Sequence, residues 1–326
     1  ARFIEETRNY EAYEPFYQHA GAPAEAVKAN RARLQDQALA LPTTRDDKAE
    51  REVLLRLLQA FDAVCRQNNL HYTLFYGTLL GAVRHQGFVP WDDDVDVIMP
   101  RADYDKLCAL PPNVWAAEYF LQTPESDPDC FYGGYAKLRD STTTGIESRN
   151  LGHNCNQGIW IDILPLDACW RNPERRQDQF ARIHRLQSML LAKIYPGLYQ
   201  LDSVTALQVA QTSHRDLCDQ LHAALTECDE PDALLTVLAR YRSAESHVLT
   251  EAEDWRWTIP QPFEGTQYPI PMAYDKLLRQ LYGPQYRLYP PLAQRVSHHK
   301  GLFDAGTPYR QYQAEHATLL AFFSNL

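Results

Sequence analysis

Apolar residues recur at helical spacing from Asp46 to Asn69, with Val53, Leu54, Leu57, Leu58, Phe61, Val64 and Cys65 on one side and charged residues on the other. An aromatic and β-branched run from Tyr72 to Tyr76 then predicts a strand. It ends at Gly77 and Thr78, ahead of an apolar helical segment from Leu79 to Val83. A second strand is expected over 94–99 and a helix from Arg101 to Leu110. Strands near 118–122, 131–138 and 158–164 complete a mixed sheet. Three helical patterns follow, from Gln177 to Tyr195, Ser203 to Cys228 and Pro231 to Leu249. The aromatic, proline-rich stretch 255–291 predicts loops, a short strand and one helix from Tyr274 to Tyr282. A last helix is expected from Arg310 to Phe323. This order implies an α/β (α+β) protein, a mixed sheet with an appended helical portion. Residues 1–45 form an N-terminal arm with a short helix, 46–170 the core, and 171–326 a helical portion and C-terminal segment packed on it.

The second strand carries charge where a buried strand should not. Asp92, Asp93, Asp94 and Asp96 lie within five residues and run into Val97, Ile98 and Met99. On a strand Asp94 and Asp96 share one face while Val95 and Val97 take the other. Paired carboxylates repel, and a buried charge must be paired or bind metal. Hard oxygen donors of this kind suit Mg²⁺ or Mn²⁺, with a substrate phosphate completing the shell. The plainer alternative is a solvated loop or a set of helix caps.

Upstream, the strand, Gly77-Thr78 and the helix start form a turn whose N–H groups and hydroxyl could meet an anion. Gly-Thr before a helix is weak by itself. Followed by Asp-x-Asp on the next strand, it is the arrangement of the nucleotidyltransferase superfamily, which needs a third acid from a later strand. Asp162, flanked by Ile161 and Ile163, is the candidate, and Asp167 better fits a strand-end role.

The chain from Gly77 to His85 (Gly-Thr-Leu-Leu-Gly-Ala-Val-Arg-His), from Pro90 to Asp96 (Pro-Trp-Asp-Asp-Asp-Val-Asp) and from Pro100 to Tyr104 resembles the LicD family, which includes fukutin and fukutin-related protein. The likeness continues through Lys137-Leu138-Arg139, Thr142 to Thr144, Ile161 to Asp167, Ile270 to Tyr274 and Leu281 to Gly283, and spans roughly residues 50–300. The resemblance implies a nucleotidyltransferase-like fold and transfer of a phospho-alcohol, phosphocholine first, from CDP-choline or another CDP-alcohol to a glycan hydroxyl, with release of CMP. Mg²⁺ (or Mn²⁺) would be held by Asp94, Asp96 and Asp162, with Asp92 as general base or outer ligand. Gly77, Thr78, Arg84, Lys137, Arg139 and His298 would meet substrate. Arg84 could instead pair with an aspartate. Alternation puts Lys137 and Arg139 on one strand face, for which a solvated face is the plain alternative. Choline would favour an aromatic cage, with Tyr132, Tyr135, Trp160, Trp255 and Trp257 as candidates. Two other classes compete: a nucleotidyltransferase that releases pyrophosphate from an NTP, and a non-catalytic nucleotide-binding assembly protein. A Mg²⁺-dependent phosphohydrolase is a variant of the enzyme reading.

Composition narrows the partners. The 326 residues are 45% apolar and 23% charged, enough for one large or two small domains. A formal net charge of −10 argues against non-specific binding to nucleic acid or anionic lipid. No apolar run is long enough for a transmembrane segment, and no signal peptide is visible. Seven cysteines without a Cys-x-x-Cys pair suggest reduced thiols and a cytoplasmic protein, working at the inner membrane face where glycans are assembled. His153 and Cys155 read as loop residues rather than a metal pair. The arm at residues 1–45 could cover an acceptor site or drive homo-oligomerisation.

Overall fold

The computed structural model describes residues 47–129, 133–147, 150, 153–194, 203–240, 248–295, 297 and 301–315. The N-terminal arm, Tyr132 and His298 lie outside these residues.

Helix α1 (Asp47–Gln67) buries Val53, Leu54, Leu57, Leu58, Phe61, Val64 and Cys65, the stripe its sequence spacing predicts. Strand β1 (Thr73–Leu74) is short and pairs antiparallel with β2 (Asp96–Pro100). Between them runs α2 (Tyr76–His85), and α3 (Arg101–Cys108) follows β2. The helix α2 starts at Tyr76, so Gly77 and Thr78 sit inside its first turn rather than in a turn ahead of it. Strands β3 (Tyr119–Gln122), β4 (Ala136–Asp140) and β6 (Ile159–Cys169) complete the main sheet, in the order β1-β2-β6-β4-β3. Only β2 and β6 pair parallel. Strand β5 (Thr144–Glu147) pairs with β10 (Gly301–Asp304) beside it.

Strand β6 joins two apolar cores. Its first part, with Ile159, Ile161, Ile163 and Leu164, belongs to the core under the sheet. Its last residue, Cys169, packs with Phe180, Ile183, Leu186 and Leu190 of α4 (Pro173–Ile194) and with Leu217, Leu221 and Leu225 of α6 (His214–Leu225). The helix α5 (Ser203–Gln211) adds Val209. The expected single helix from Ser203 to Cys228 is therefore two. Ser213 caps α6 by accepting from the Asp216 N–H, and a Ser with Asp three residues on is a legible helix start.

The expected helix from Pro231 to Leu249 is absent from its described part. Residues Leu234–Thr236 form β7, paired with Asp167–Cys169 at the end of β6. The proline-rich stretch holds a hairpin, β8 (Thr258–Phe263) with β9 (Thr266–Pro271), and α7 (Tyr274–Tyr282), whose bounds match the expected helix. Phe263, Tyr268, Ile270 and Leu278 from this segment enter the core under the sheet. The helix α8 (Tyr309–Glu315) ends the described chain.

Among the described residues the expectation of reduced thiols fails at Cys155. Cys155 is disulfide-bonded, whereas Cys65, Cys108, Cys169, Cys218 and Cys228 are free. Among the described residues no helix is long and apolar enough to cross a membrane.

Candidate active site

The parallel register of β2 and β6 sets Asp96 opposite Asp162. The antiparallel register of β4 and β6 sets Lys137 opposite Asp162 on its other side. Three side chains with chemistry thus lie in one row across three strands. Lys137 Nζ stands 3.0 Å from Asp162 Oδ1, with both side chains buried. Burial pushes the Lys137 ammonium down to about 8, against the opposing pull of Asp162.

A fourth member came from a segment with no local signal. Arg240, just beyond β7, places Nη2 3.4 Å from Asp96 Oδ1 and 3.4 Å from Asp162 Oδ2. Its guanidinium also lies 5.1 Å from the ring of Tyr76. Sequence periodicity put this segment on a helix and gave no reason to single out Arg240.

The acidic loop is fixed from both ends. Arg51 of α1 donates through Nη2 to the carbonyls of Val89, Pro90 and Asp92, at 3.3, 2.8 and 3.0 Å. Ser297 donates to the Asp93 carboxylate. The Asp92 carboxylate lies against Gly77: a Cβ there would come 2.2 Å from Asp92 Oδ2. Gly77 is thus required by close approach, and Asp92 rests at the N-terminus of α2, where the helix dipole favours negative charge. The N–H of Asp96 donates to Thr78 Oγ1 at 2.9 Å in a buried contact, which ties α2 to β2. The structure gives Thr78 this bracing contact in place of the expected open turn.

Asp94 is half-buried just ahead of β2, and Asp92, Asp94 and Asp96 converge on Tyr282 at the end of α7. Burial first, then the charges of Asp96, Asp92 and Asp94, hold the Tyr282 phenol well above its ordinary pKa, although the residue keeps 43% exposure. The Tyr282 ring thus stands exposed beside three acidic groups.

Other expected site residues do different work. Arg139 is fully buried, donates to Gln122 and to the Gly158 carbonyl, and faces Trp160. It shares a face with Lys137, as alternation requires, since both lie over the Trp160 ring. Its guanidinium is engaged within the sheet through its bonds to Gln122 and Gly158. Arg84 pairs with no aspartate among the described residues. It donates through Nη1 to the carbonyls of Tyr286 and Leu288, at 2.8 and 3.1 Å. Asp167 is not at a strand end but buried within β6, where Arg101 Nε reaches it at 2.6 Å. Of the expected cage residues, Trp160 is covered by the two cations, Trp255 packs on Phe75, and Trp257 is 60% exposed beside Arg256. The rings nearest the acids are Tyr76 and Tyr282.

Among the described residues, no three His, Cys, Asp or Glu side chains gather closely enough to hold a metal by themselves. Asp94 and Asp96 offer hard oxygen donors, so a divalent ion fits only if a ligand's oxygens complete its shell.

A parallel strand pair with facing carboxylates, beside a helix N-terminus and buried cations, defines a nucleotidyltransferase-like site. The LicD/FKTN/FKRP nucleotidyltransferase domain family matches residues 69–141. The chain is 27% identical over 274 residues to the lipopolysaccharide cholinephosphotransferase LicD of Haemophilus influenzae, covering 76% of this chain and 93% of that protein. Shorter matches of 48% identity over 50 residues join it to uncharacterised proteins of Rickettsia prowazekii and Rickettsia typhi, over 15% of this chain and 19% and 16% of theirs. Residues 69–141 thus match the LicD family's nucleotidyltransferase domain, and the likeness to a LicD protein extends over most of the chain. Asp162 and Arg240 lie beyond the matched domain, and the fold brings them back to it.

Proposed function

We propose that this protein transfers a phospho-alcohol group, phosphocholine first among them, from a CDP-activated donor to a hydroxyl of a cell-surface glycan and releases CMP. The observation that carries the reading is the row Asp96, Asp162, Lys137, closed by Arg240 at 3.4 Å from both acids. The likeness to a lipopolysaccharide cholinephosphotransferase supports the choice of transferred group and acceptor class.

In this reading Asp94 and Asp96 hold Mg²⁺ or Mn²⁺ together with the donor diphosphate, and Asp162 backs them. Such an ion would supply charge neutralisation at the phosphate oxygens and at the departing CMP. Arg240 turns from the carboxylates toward the diphosphate. Lys137 keeps Asp162 anionic and oriented. The acceptor oxygen attacks the phosphorus of the phosphocholine group as its bond to the CMP oxygen breaks. The acceptor's proton passes to Asp92, which lies beside the Asp94–Asp96 pair and outside it.

The test is CMP release from CDP-choline, CDP-ribitol, CDP-glycerol and CDP-ethanolamine with Mg²⁺, with CTP as control. Selective CMP release from one CDP-alcohol, abolished in Asp94→Asn and Asp96→Asn proteins that still fold, is the expected result. Pyrophosphate release from CTP, with no response to any CDP-alcohol, would replace this reading with nucleotidyl transfer.

A further inference from the structure

Next to the acidic loop stands a group of side chains that the donor chemistry does not use. Trp91, directly ahead of Asp92, meets the ring of Tyr289 edge-on at 5.8 Å. The ring of His85 stacks on Tyr289 at 5.6 Å and 11° between planes. Two guanidiniums share these rings: Arg84 lies 5.8 Å from Trp91 and 5.3 Å from Tyr289, and Arg295 lies 5.3 and 5.2 Å from them. Neither arginine forms an ion pair with a carboxylate among the described residues; their hydrogen bonds go to carbonyls of Tyr286, Leu288 and Pro290 and to the His85 ring. Two like charges are therefore held side by side without an ion pair among the described residues, and Tyr289 remains 56% exposed.

The group is electrostatically continuous with the reaction site. Burial lowers the pKa of Arg84, the charge of Arg295 acts in the same direction, and Tyr289, Tyr282 and Asp92 oppose them. Tyr282 in turn faces Asp92, Asp94 and Asp96. A ligand reaching from the carboxylates past Tyr282 would meet an exposed aromatic ring and then two guanidiniums.

We propose that Trp91, Tyr289, Arg84 and Arg295 form the acceptor subsite, and that it takes a saccharide bearing a phosphate or carboxylate next to the accepting sugar. This rests on the transferase reading and names the class of its acceptor. An exposed ring presents an apolar face to the C–H face of a sugar while its hydroxyl stays wet. Guanidiniums are suited to phosphate and carboxylate because their forked donors match both anions. Arg84 and Arg295 are already aligned by their carbonyl contacts, so little ordering remains for binding.

The test uses the full chain and lipid-free lipopolysaccharide core oligosaccharide in three forms: native, dephosphorylated and carboxyl-reduced. Calorimetry follows binding. Native oligosaccharide is expected to bind, and removal of one type of anion to weaken it about tenfold, which identifies phosphate or carboxylate as the recognised group. Arg295→Gln and Tyr289→Ala should each raise the saccharide Kd about tenfold, and Arg295→Lys should recover part of it. A melting curve for each variant checks folding. Equal binding of all three forms overturns the proposal. So does an Arg295→Gln protein that loses affinity for CDP-choline while binding saccharide normally, because the arginines would then belong to the donor. Acceptor-free CMP release judges the transferase reading separately, so the two can fail independently.

Discussion

Glycine is the poorest helix former after proline, yet Gly77 occupies the first turn of α2. Helix propensity alone predicts that Gly77→Ala stabilises the protein by about 1 kcal/mol. The Asp92 carboxylate, 2.2 Å from where the new Cβ would stand, predicts that the same change moves Asp92. The expected outcome is a CMP release rate reduced about tenfold or more, with a melting temperature close to that of the parent. Full activity in Gly77→Ala would show that the position of Asp92 is immaterial to the chemistry. Lys137 offers a test by pH. Its ammonium, pushed down to about 8 chiefly by burial, loses its proton as pH rises through that value. Asp162 then loses a compensating charge, so activity should fall on the alkaline side of pH 8. Unfolding through this group cannot explain such a fall. The unfolded chain, with a lysine pKa of about 10.4, binds more protons than the folded one between the two values, so this group makes folding more favourable as pH rises there. Lys137→Arg should move the alkaline limb upward, and an unmoved limb in an active variant would remove Lys137 from the pH response.

At the scale of elements, β6 is held against α3 by one buried ion pair, Arg101 with Asp167. Burial raises the Asp167 carboxyl to about 6 even though Arg101 pulls it down. Removing one partner of a buried pair costs roughly 3–5 kcal/mol, because the other charge is left uncompensated. Arg101→Met should therefore be strongly destabilised at pH 7.5. In the parent, the folded state holds a proton on Asp167 between about 3.9 and about 6 that the unfolded chain has released, so stability falls across that window as pH rises; without Arg101, which pulls the carboxyl down, the fall extends further upward. The variant's deficit should shrink at pH 5, as seen in urea melts at the two values, and a deficit independent of pH would contradict the assignment. Elements made by their own stripe were legible in the sequence: α1 and α7 lie where spacing placed them. The segment after Pro231 was not, because its leucines obey helical spacing but Leu234–Thr236 pair with the far end of β6. Tertiary pairing overrode local pattern there, and Arg240 was hidden with it. The acids themselves were legible because charge interrupts apolar strands. Lys137 was named through the family resemblance as a substrate contact, but its pairing with Asp162 was not legible and Arg240 was missed, since no spacing links either cation to that acid.

Across the whole molecule, the formal charge of −10 would oppose the anionic donor proposed above, so the site would have to reverse that field locally. It does so with cations drawn from distant parts of the chain. Lys137 comes from the sheet, Arg240 from the segment that follows β7, and Arg84 and Arg295 meet at the rim. The helical core of α4 and α6 anchors the segment that carries Arg240, because Leu238 packs in it two residues earlier. Arg240 and a divalent ion would compete for Asp96 and Asp162, and their order of arrival is testable. With the parent protein, Mg²⁺ alone should shift melting little, since Arg240 already compensates these acids. Mg²⁺ with CDP-choline should raise the melting temperature by several degrees, as ligand binding to the folded state alone requires. Arg240→Met should reverse the first response: the acids left without their cation would make Mg²⁺ alone stabilising, while CMP release falls about tenfold or more for want of a phosphate contact. Should Mg²⁺ act identically on the two proteins, Arg240 is a fixed structural cation and the diphosphate must find its positive charge elsewhere. Should Mg²⁺ stabilise the variant without loss of turnover, Arg240 holds the acids apart only until the ion arrives.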